Sequence, residues 1–262
     1  MPIADWYDTP LYYDIIFDAD TEREADFLEG IMNRHGKGKS KSPLRILEPA
    51  CGSGRLITAL AKRGHEVHGF DLNHNMLDYA ASRLKQDKQQ AQLWQDRLES
   101  FKTPTTKLYD LAHCLVSTFK YVLEEAGAVS HLQHVARSLR KGGLYILGLH
   151  LTNYAAQRPE HERWVGERDG IEVICNTHTW LPNRKARTED LRTRLKITRN
   201  HETWVQETRW QFRTYNSAEL KQLLQAAPEF ECVACHDFNY DLDEERQIDD
   251  RQADLILVLR RK

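Results

Sequence analysis

The stretch from Leu44 to Ile57 constrains this chain more than any other. It reads as a short apolar strand, Arg45-Ile46-Leu47, ended by Glu48, then a turn carrying Gly52 and Gly54. A helix follows, in which Leu56, Ile57, Leu60 and Ala61 recur at helical spacing. A strand that breaks into a glycine turn and restarts as a helix is how an α/β sheet builds a pocket for a nucleotide-like cofactor. Glycine lets the backbone approach the ligand, and the helix N-terminus presents free N–H groups to it. A dinucleotide fingerprint GxGxxG would place a third glycine where this chain has Ile57, which disfavours a nicotinamide cofactor. On this motif alone, a turn with no ligand stays open.

The next acidic residue at a strand end is Asp71, which closes the strand His65–Phe70 (HEVHGF). It lies about twenty residues past the turn, where a doubly wound fold places a carboxylate for the two ribose hydroxyls. Capping of the following helix, Asn75–Lys88, is the competing role, but Asn73 can cap by itself. Ala91–Gln95 reads as a third strand ending at Asp96. Lys107–Val116 is the most continuous strand, read as buried on both faces. Ala126–Arg140 reads as an amphipathic helix stopped by Lys141-Gly142-Gly143 before the strand Leu144–Leu151. His150 then stands at that strand's carboxyl end, where an imidazole could take a proton from an amine or hydroxyl, or simply contact a substrate.

Residues 152–215 leave this alternation. Gly170–Leu181, Asp190–Asn200 and His201–Tyr215 have period-2 texture, with Leu191, Thr193, Leu195 and Ile197 on one face and Arg192, Arg194 and Lys196 on the other. They predict an inserted antiparallel sheet whose aromatic face carries Trp180, Trp204, Trp210 and Phe212. The segment Asn33–Pro43, rich in glycine, serine and lysine, reads as a linker. A capping-box-like start at Asn216–Glu219 opens a last helix, and Phe230–Phe238 with Asp254–Arg260 read as closing strands. Cys232-Val233-Ala234-Cys235-His236 matches the haem-attachment pattern CxxCH, but its position inside a strand argues against haem, and no metal is expected.

Composition narrows the class. A formal net charge of -2 argues against a general nucleic-acid or membrane binder. There is no long apolar run of membrane-spanning length, and the first residues lack a basic start and apolar core. The expectation is a soluble, cytoplasmic protein with neither nucleic-acid nor membrane partners. Five scattered cysteines fit free thiols better than a disulfide framework.

Glu48-Pro49-Ala50-Cys51-Gly52-Ser53-Gly54 resembles motif I of the class I S-adenosylmethionine-dependent methyltransferases, an acidic residue, three residues, then GxG. It departs at Ala50, where the family often has glycine, and on side-chain size that change is mild. Gly69-Phe70-Asp71-Leu72 with Asn73–Met76 looks like motif II, Asp96-Arg97-Leu98 like motif III, and Tyr109-Asp110-Leu111 like the lead into motif IV. The run LRKGGLYIL resembles the passage before the family's fifth strand, and WYDTPLYYD the N-terminal segment that folds over the cofactor. The run CLVSTFKY from Cys114 to Tyr121 is not the Asn-Pro-Pro-Tyr/Phe signature of enzymes acting on exocyclic nitrogens of DNA.

The resemblance implies a doubly wound, mostly parallel seven-stranded Rossmann-like α/β sheet with a C-terminal antiparallel hairpin. It divides the chain into a cofactor-binding core (1–151 and 216–262, with an N-terminal helical lid) and an inserted sheet (152–215) covering the substrate. It further implies S-adenosylmethionine as cofactor, with contacts from Trp6, Tyr13, Glu48, Ala50, Cys51, Gly52, Gly54, Arg55, Asp71, Leu72, Met76, Asp96, Arg97, Leu98, Cys114 and Leu115. The reaction implied is methyl transfer to a small-molecule acceptor, an amine first and a hydroxyl second. Two alternatives stay open at this point, a non-catalytic module that keeps the cofactor fold and a nicotinamide-dependent oxidoreductase.

Overall fold

A computed structural model describes residues 5–38 and 43–262. A 3-10 turn, Trp6–Asp8, and helices α1 (Pro10–Phe17) and α2 (Thr21–His35) precede the sheet. The core then alternates through β1 (Arg45–Pro49), α3 (Arg55–Lys62), β2 (Glu66–Asp71), α4 (His74–Gln86), β3 (Gln92–Gln95), β4 (Tyr109–Cys114), α5 (Glu125–Ser138) and β5 (Leu139–His150). Four strands follow, β6 (Glu160–Arg168), β7 (Ile171–Thr179), β8 (Thr188–Arg199) and β9 (Glu202–Arg213). The chain closes with α6 (Ser217–Gln225), β10 (Phe230–His236) and β11 (Asp254–Arg261).

The large sheet has seven strands in the order β3-β2-β1-β4-β5-β11-β10. The pairs from β3 to β5 are parallel, whereas β11 runs antiparallel to both β5 and β10. Burial on both faces explains why its central strands carry unbroken apolar runs. Along β5, Leu144 and Ile146 pack toward Phe27, Leu28, Ile31 and Met32 of α2, while Tyr145 and Leu147 pack toward Leu132 and Val135 of α5. Each such leucine, taken fully from water, contributes about 1.5–3 kcal/mol. The order reverses between β1 and β4, so the crevice outside their carboxyl ends is where such a sheet receives a ligand.

The second sheet is antiparallel, in the order β6-β7-β8-β9. Its inner face, Ile171, Val173, Cys175, Leu195 and Ile197, closes over Trp6 and Ile15 of the N-terminal segment. The excursion leaves and rejoins the core at one point, where the Thr152 N–H donates to the Tyr215 carbonyl at 2.8 Å.

Several sequence expectations need correction. Helix α2 runs through His35, so Asn33–His35 do not belong to a linker; residues 39–42 of that linker lie outside the described residues. Lys141-Gly142-Gly143 is not a helix stop. Helix α5 ends at Ser138, and these residues bulge out of β5, whose partners jump from Leu139 to Leu144 while β4 advances from Tyr109 to Leu111. The strand expected from Lys107 begins at Tyr109, leaving Leu108 half exposed. Strand β6 was not expected at all, because an edge strand with charged residues on both faces shows no alternation. Trp180 does not join the aromatic face: it packs edge-on to His178 and beneath Arg192, on the opposite side from Trp204 and Trp210.

Candidate active site

After β1 the chain turns through Ala50, Gly52 and Gly54, all at positive φ (56°, 53° and 70°). Ala50 therefore departs from glycine in backbone rather than in bulk, since a left-handed conformation costs an L-residue about 1–2 kcal/mol. A Cβ on Gly54 would lie 2.6 Å from the Ala80 Cβ, so glycine is needed for α4 to pack against the turn. The Cys51 N–H donates to the Phe70 carbonyl and the Gly52 N–H to Asp71 Oδ2, both at 2.9 Å. These bonds tie the turn to the end of β2.

Asp71 Oδ1 accepts from the Asn73 N–H at 2.8 Å, while the Asn73 side chain caps α4 by accepting from the Met76 N–H at 3.1 Å. Carboxylate and cap are thus separate residues. Burial pushes the Asp71 pKa up, and the backbone donors at Asn73 and Gly52 pull it back. Two amide bonds leave lone pairs on this carboxylate for further donors.

Beneath the turn lies a buried polar group that the sequence motifs disclose only in part. Glu48 is buried, and its Oε2 has no hydrogen-bond partner among the described residues. Desolvation pushes its pKa well up, opposed by the charge of Arg55. Arg55 in turn pairs with Glu24 of α2 at 2.6 Å. The Nδ1 of His113 stands 4.0 Å from Glu48 Oε1, neither ring nitrogen of His113 has a hydrogen-bond partner among the described residues, and burial holds its pKa down at about 3. Glu24 was visible in principle, since it falls on the helical stripe of Phe27, Leu28 and Ile31, where a charge needs a partner.

The N-terminal segment covers this turn. Tyr13 Cε1 lies 4.0 Å from where a Cβ of Gly52 would stand. Trp6 stacks on Trp210 of β9, ring centroids 5.0 Å apart, and its backbone N–H donates to Thr208 Oγ1 at 3.0 Å. The hydroxyls of Tyr7 and Tyr121 are 2.8 Å apart, and Asp8 accepts from the side chains of Asn73 and Asn75 at 2.9 and 3.1 Å. Asp14, wholly buried, accepts from Ser53 Oγ at 2.7 Å, Tyr79 Oη at 3.1 Å, Arg168 at 2.8 Å, and Arg83.

His150 stands at the end of β5 in a cleft it shares with Asn153, Trp180 and Glu189. Its Nδ1 is 2.7 Å from Ser117 Oγ and its Nε2 3.2 Å from Glu189 Oε1. Glu189 was missed although its odd-numbered position in β8 puts it on the buried face of Leu191 and Leu195.

Other expected contacts sit differently. Asp96 uses its carboxylate on the N–H groups of Arg97 and Lys102, at 2.8 and 2.9 Å, although its own N–H reaches the Asp71 carbonyl at 3.1 Å. Arg97 is exposed, and Leu98 packs on the core. Met76, Cys114 and Leu115 are buried, with the Cys114 thiol pushed up to about 12 by desolvation, while Leu72 is more than half exposed.

Residues 46–143 match the family described as a methyltransferase domain. A protein of Geobacillus sp. (strain WCH70), provisionally named a methyltransferase, is 27% identical over 152 residues, which cover 57% of this chain and 56% of that protein. The chain thus matches about half the length of this curated relative. Among solved structures, an S-adenosylmethionine-dependent methyltransferase from Clostridium acetobutylicum ATCC 824 superposes with a TM-score of 0.77 at 14% identity, over 95% of each chain. The sugar N-methyltransferase KedS8 from Streptoalloteichus sp ATCC 53650 gives a TM-score of 0.71 at 17% identity, over 100% of this chain and 95% of its own. At these identities the two superpositions speak for the fold.

Proposed function

We propose that this chain, whose residues 46–143 match a methyltransferase domain, is a class I S-adenosylmethionine-dependent methyltransferase and transfers the methyl group of that cofactor to an amine of a small polar acceptor. The observation that carries the reading is the orphaned Glu48 Oε2, buried beneath the glycine turn beside Arg55. A buried carboxylate oxygen without a donor is costly, and an ammonium group relieves it. The amino-acid end of S-adenosylmethionine carries an ammonium and a carboxylate, which fit Glu48 and Arg55. Asp71, with lone pairs to spare, suits the ribose hydroxyls. Gly52 leaves room for close approach of the ligand, and Tyr13 above it offers an aromatic face to a sulfonium. We take Asp96 and the loop through Leu98 as the adenine side.

The cofactor supplies an already activated methyl group. The chain's own work is to hold the acceptor in line and keep water out. The lid of Trp6, Tyr7 and Tyr13 serves the second task, and the segment 152–215, with His150 at its base, forms the acceptor's cover. An amine is favoured over a hydroxyl because it needs no deprotonation before attack, and a neighbour of similar fold is a sugar N-methyltransferase.

Isothermal titration calorimetry with S-adenosylmethionine, followed by mass spectrometry of a panel of amino sugars incubated with enzyme and cofactor, tests the reading. Micromolar binding and a gain of one methyl on nitrogen are expected. Failure to bind the cofactor would overturn the assignment, and binding with transfer only to hydroxyls would overturn the amine.

A further inference from the structure

One cluster at the seam between the two sheets is more elaborate than an amine acceptor requires. Strand β4 ends at Cys114, and Val116 and Ser117 then both take the left-handed conformation, at φ 56° and 63°. Two such residues in succession, the first β-branched, are strained and are kept only where the surroundings over-determine them. Here they aim Ser117 Oγ at His150, accepting from its backbone N–H at 3.0 Å and standing 2.7 Å from Nδ1. On the far side of the ring, Nε2 faces Glu189 Oε1 at 3.2 Å, and the same oxygen accepts from Lys120 Nζ at 2.7 Å. Lys120 is wholly buried, lies 5.4 Å from the centre of the Phe212 ring, and also reaches the His150 carbonyl at 3.4 Å. Thr152 Oγ1 donates to the other oxygen of Glu189 at 3.5 Å.

These bonds fix the protons. Against the desolvation of its site, the hydrogen bond from His150 and then the charge of Lys120 hold Glu189 ionised, its pKa down at about 2. An ionised carboxylate only accepts, so Nε2 carries the ring proton. The ring is neutral, because burial and then Lys120 hold its pKa below the ordinary value. Nδ1 is therefore a free lone pair and Ser117 donates to it. The other charges nearby are Asp254, the register partner of His150 on β11, and Arg158 and Glu160, which line the outer cleft.

We propose that Ser117, His150 and Glu189 form a proton relay for the methyl acceptor, with Glu189 and Lys120 as its positioning pair. As the acceptor's nitrogen lone pair forms the N–CH3 bond, the CH3–S electrons pass to sulfur. The N–H proton then goes to Ser117 Oγ while the hydroxyl proton passes to His150 Nδ1. The resulting imidazolium faces Glu189, and its proton later leaves to solvent. The relay rests on the methyl-transfer reading, and it makes the inserted sheet part of the chemistry, since Glu189 comes from β8.

The test has two arms, both on the full chain. Long-range 1H–15N NMR of the His150 ring needs no acceptor. The neutral tautomer with its proton on Nε2 at pH 7 is expected; an imidazolium, or a proton on Nδ1, would overturn the relay. Lys120→Met should move the titration of this ring alkaline by about one pH unit, and no movement would overturn the role of Lys120. Glu189→Gln alone strands the buried lysine, so Lys120→Met/Glu189→Gln is the companion variant. It should lose the tautomer preference, and keeping it would overturn the role of Glu189. In the second arm, methyl transfer to glucosamine as the probe amine is followed against pH. Ser117→Ala should lower kcat about 100-fold with KM and cofactor affinity unchanged, and an unchanged kcat would overturn the relay. If the wild-type enzyme binds S-adenosylmethionine but methylates no amine, the amine reading fails, while the NMR arm still decides how the ring is held.

Discussion

Ser53 Oγ donates to Asp14 Oδ1 at 2.7 Å, and this one bond fastens the N-terminal helix to the glycine turn. The same carboxylate takes Tyr79 and Arg83 from α4 and Arg168 from β6. The N-terminal helix, the glycine turn and the second sheet therefore meet at a single buried charge. Replacing Asp14 by alanine strands two arginines, although both keep Asp18 as a secondary partner. A loss of about 3 kcal/mol is expected in urea unfolding, and a loss under about 1 kcal/mol would show that Asp14 is not what holds the three parts together.

Asp71→Ala removes the acceptor of the Gly52 and Asn73 N–H groups as well as the proposed ribose ligand. We expect S-adenosylmethionine affinity to fall at least tenfold, about 1.4 kcal/mol, with Asn73 still capping α4 and the fold intact by circular dichroism. Unchanged affinity in the folded variant would remove Asp71 from the ribose site.

Gly54→Ala adds a Cβ at φ 70° that would sit 2.6 Å from Ala80. Backbone strain and the forced shift of α4 together should cost about 2–4 kcal/mol, visible as a lower Tm. The turn should also open enough to weaken cofactor binding, and a variant as stable as wild type would mean that α4 yields without cost.

His113 gives a pH-dependent prediction. Its ring is held neutral with a folded pKa of about 3, below the ordinary 6.5. Above pH 6.5 the ring is neutral in both folded and unfolded chains. As the pH falls below 6.5, only the unfolded chain takes the proton, and stability drops until the folded ring titrates near 3. Between pH 7 and pH 5 this amounts to about 2 kcal/mol. His113→Leu should match wild type within about 1 kcal/mol at pH 7, since it replaces a polar ring with no hydrogen-bond partner among the described residues. At pH 5 it should be the more stable of the two by about 2 kcal/mol; parallel pH profiles would show that the ring finds a proton partner when folded.

The central sheet could be anticipated because its strands obey local rules. Ile46 and Leu111 lie on one side and Leu47 and Ala112 on the other, and the glycine turn announces the crevice by composition alone. What escaped depends on approach in space. Arg55 reads as a cofactor ligand by position, yet its partner Glu24 is brought to it only when α2 packs on α3. Ser117 and Glu189 are 72 residues apart in the sequence and come to opposite sides of the His150 ring only because the second sheet folds back over the end of β5. The bulge at Gly142 imitated a helix stop because a glycine at positive φ serves both purposes, and here it lets Lys37 approach, its N–H donating to the Gly142 carbonyl at 3.0 Å.

The bond between Thr152 and Tyr215 has a bearing on how such a chain can diversify. Because the four-stranded excursion begins and ends at one hydrogen-bonded neck, another segment of different length could be grafted between these two residues without altering the spacing of any core strand. The glycine turn, Asp71 and their helices would be inherited unchanged, and under the proposed role of segment 152–215 as the acceptor's cover, acceptor choice would travel with the graft. Glu189 and Arg168 would be lost in that exchange, so a productive graft must bring its own carboxylate to His150 and its own cation to Asp14.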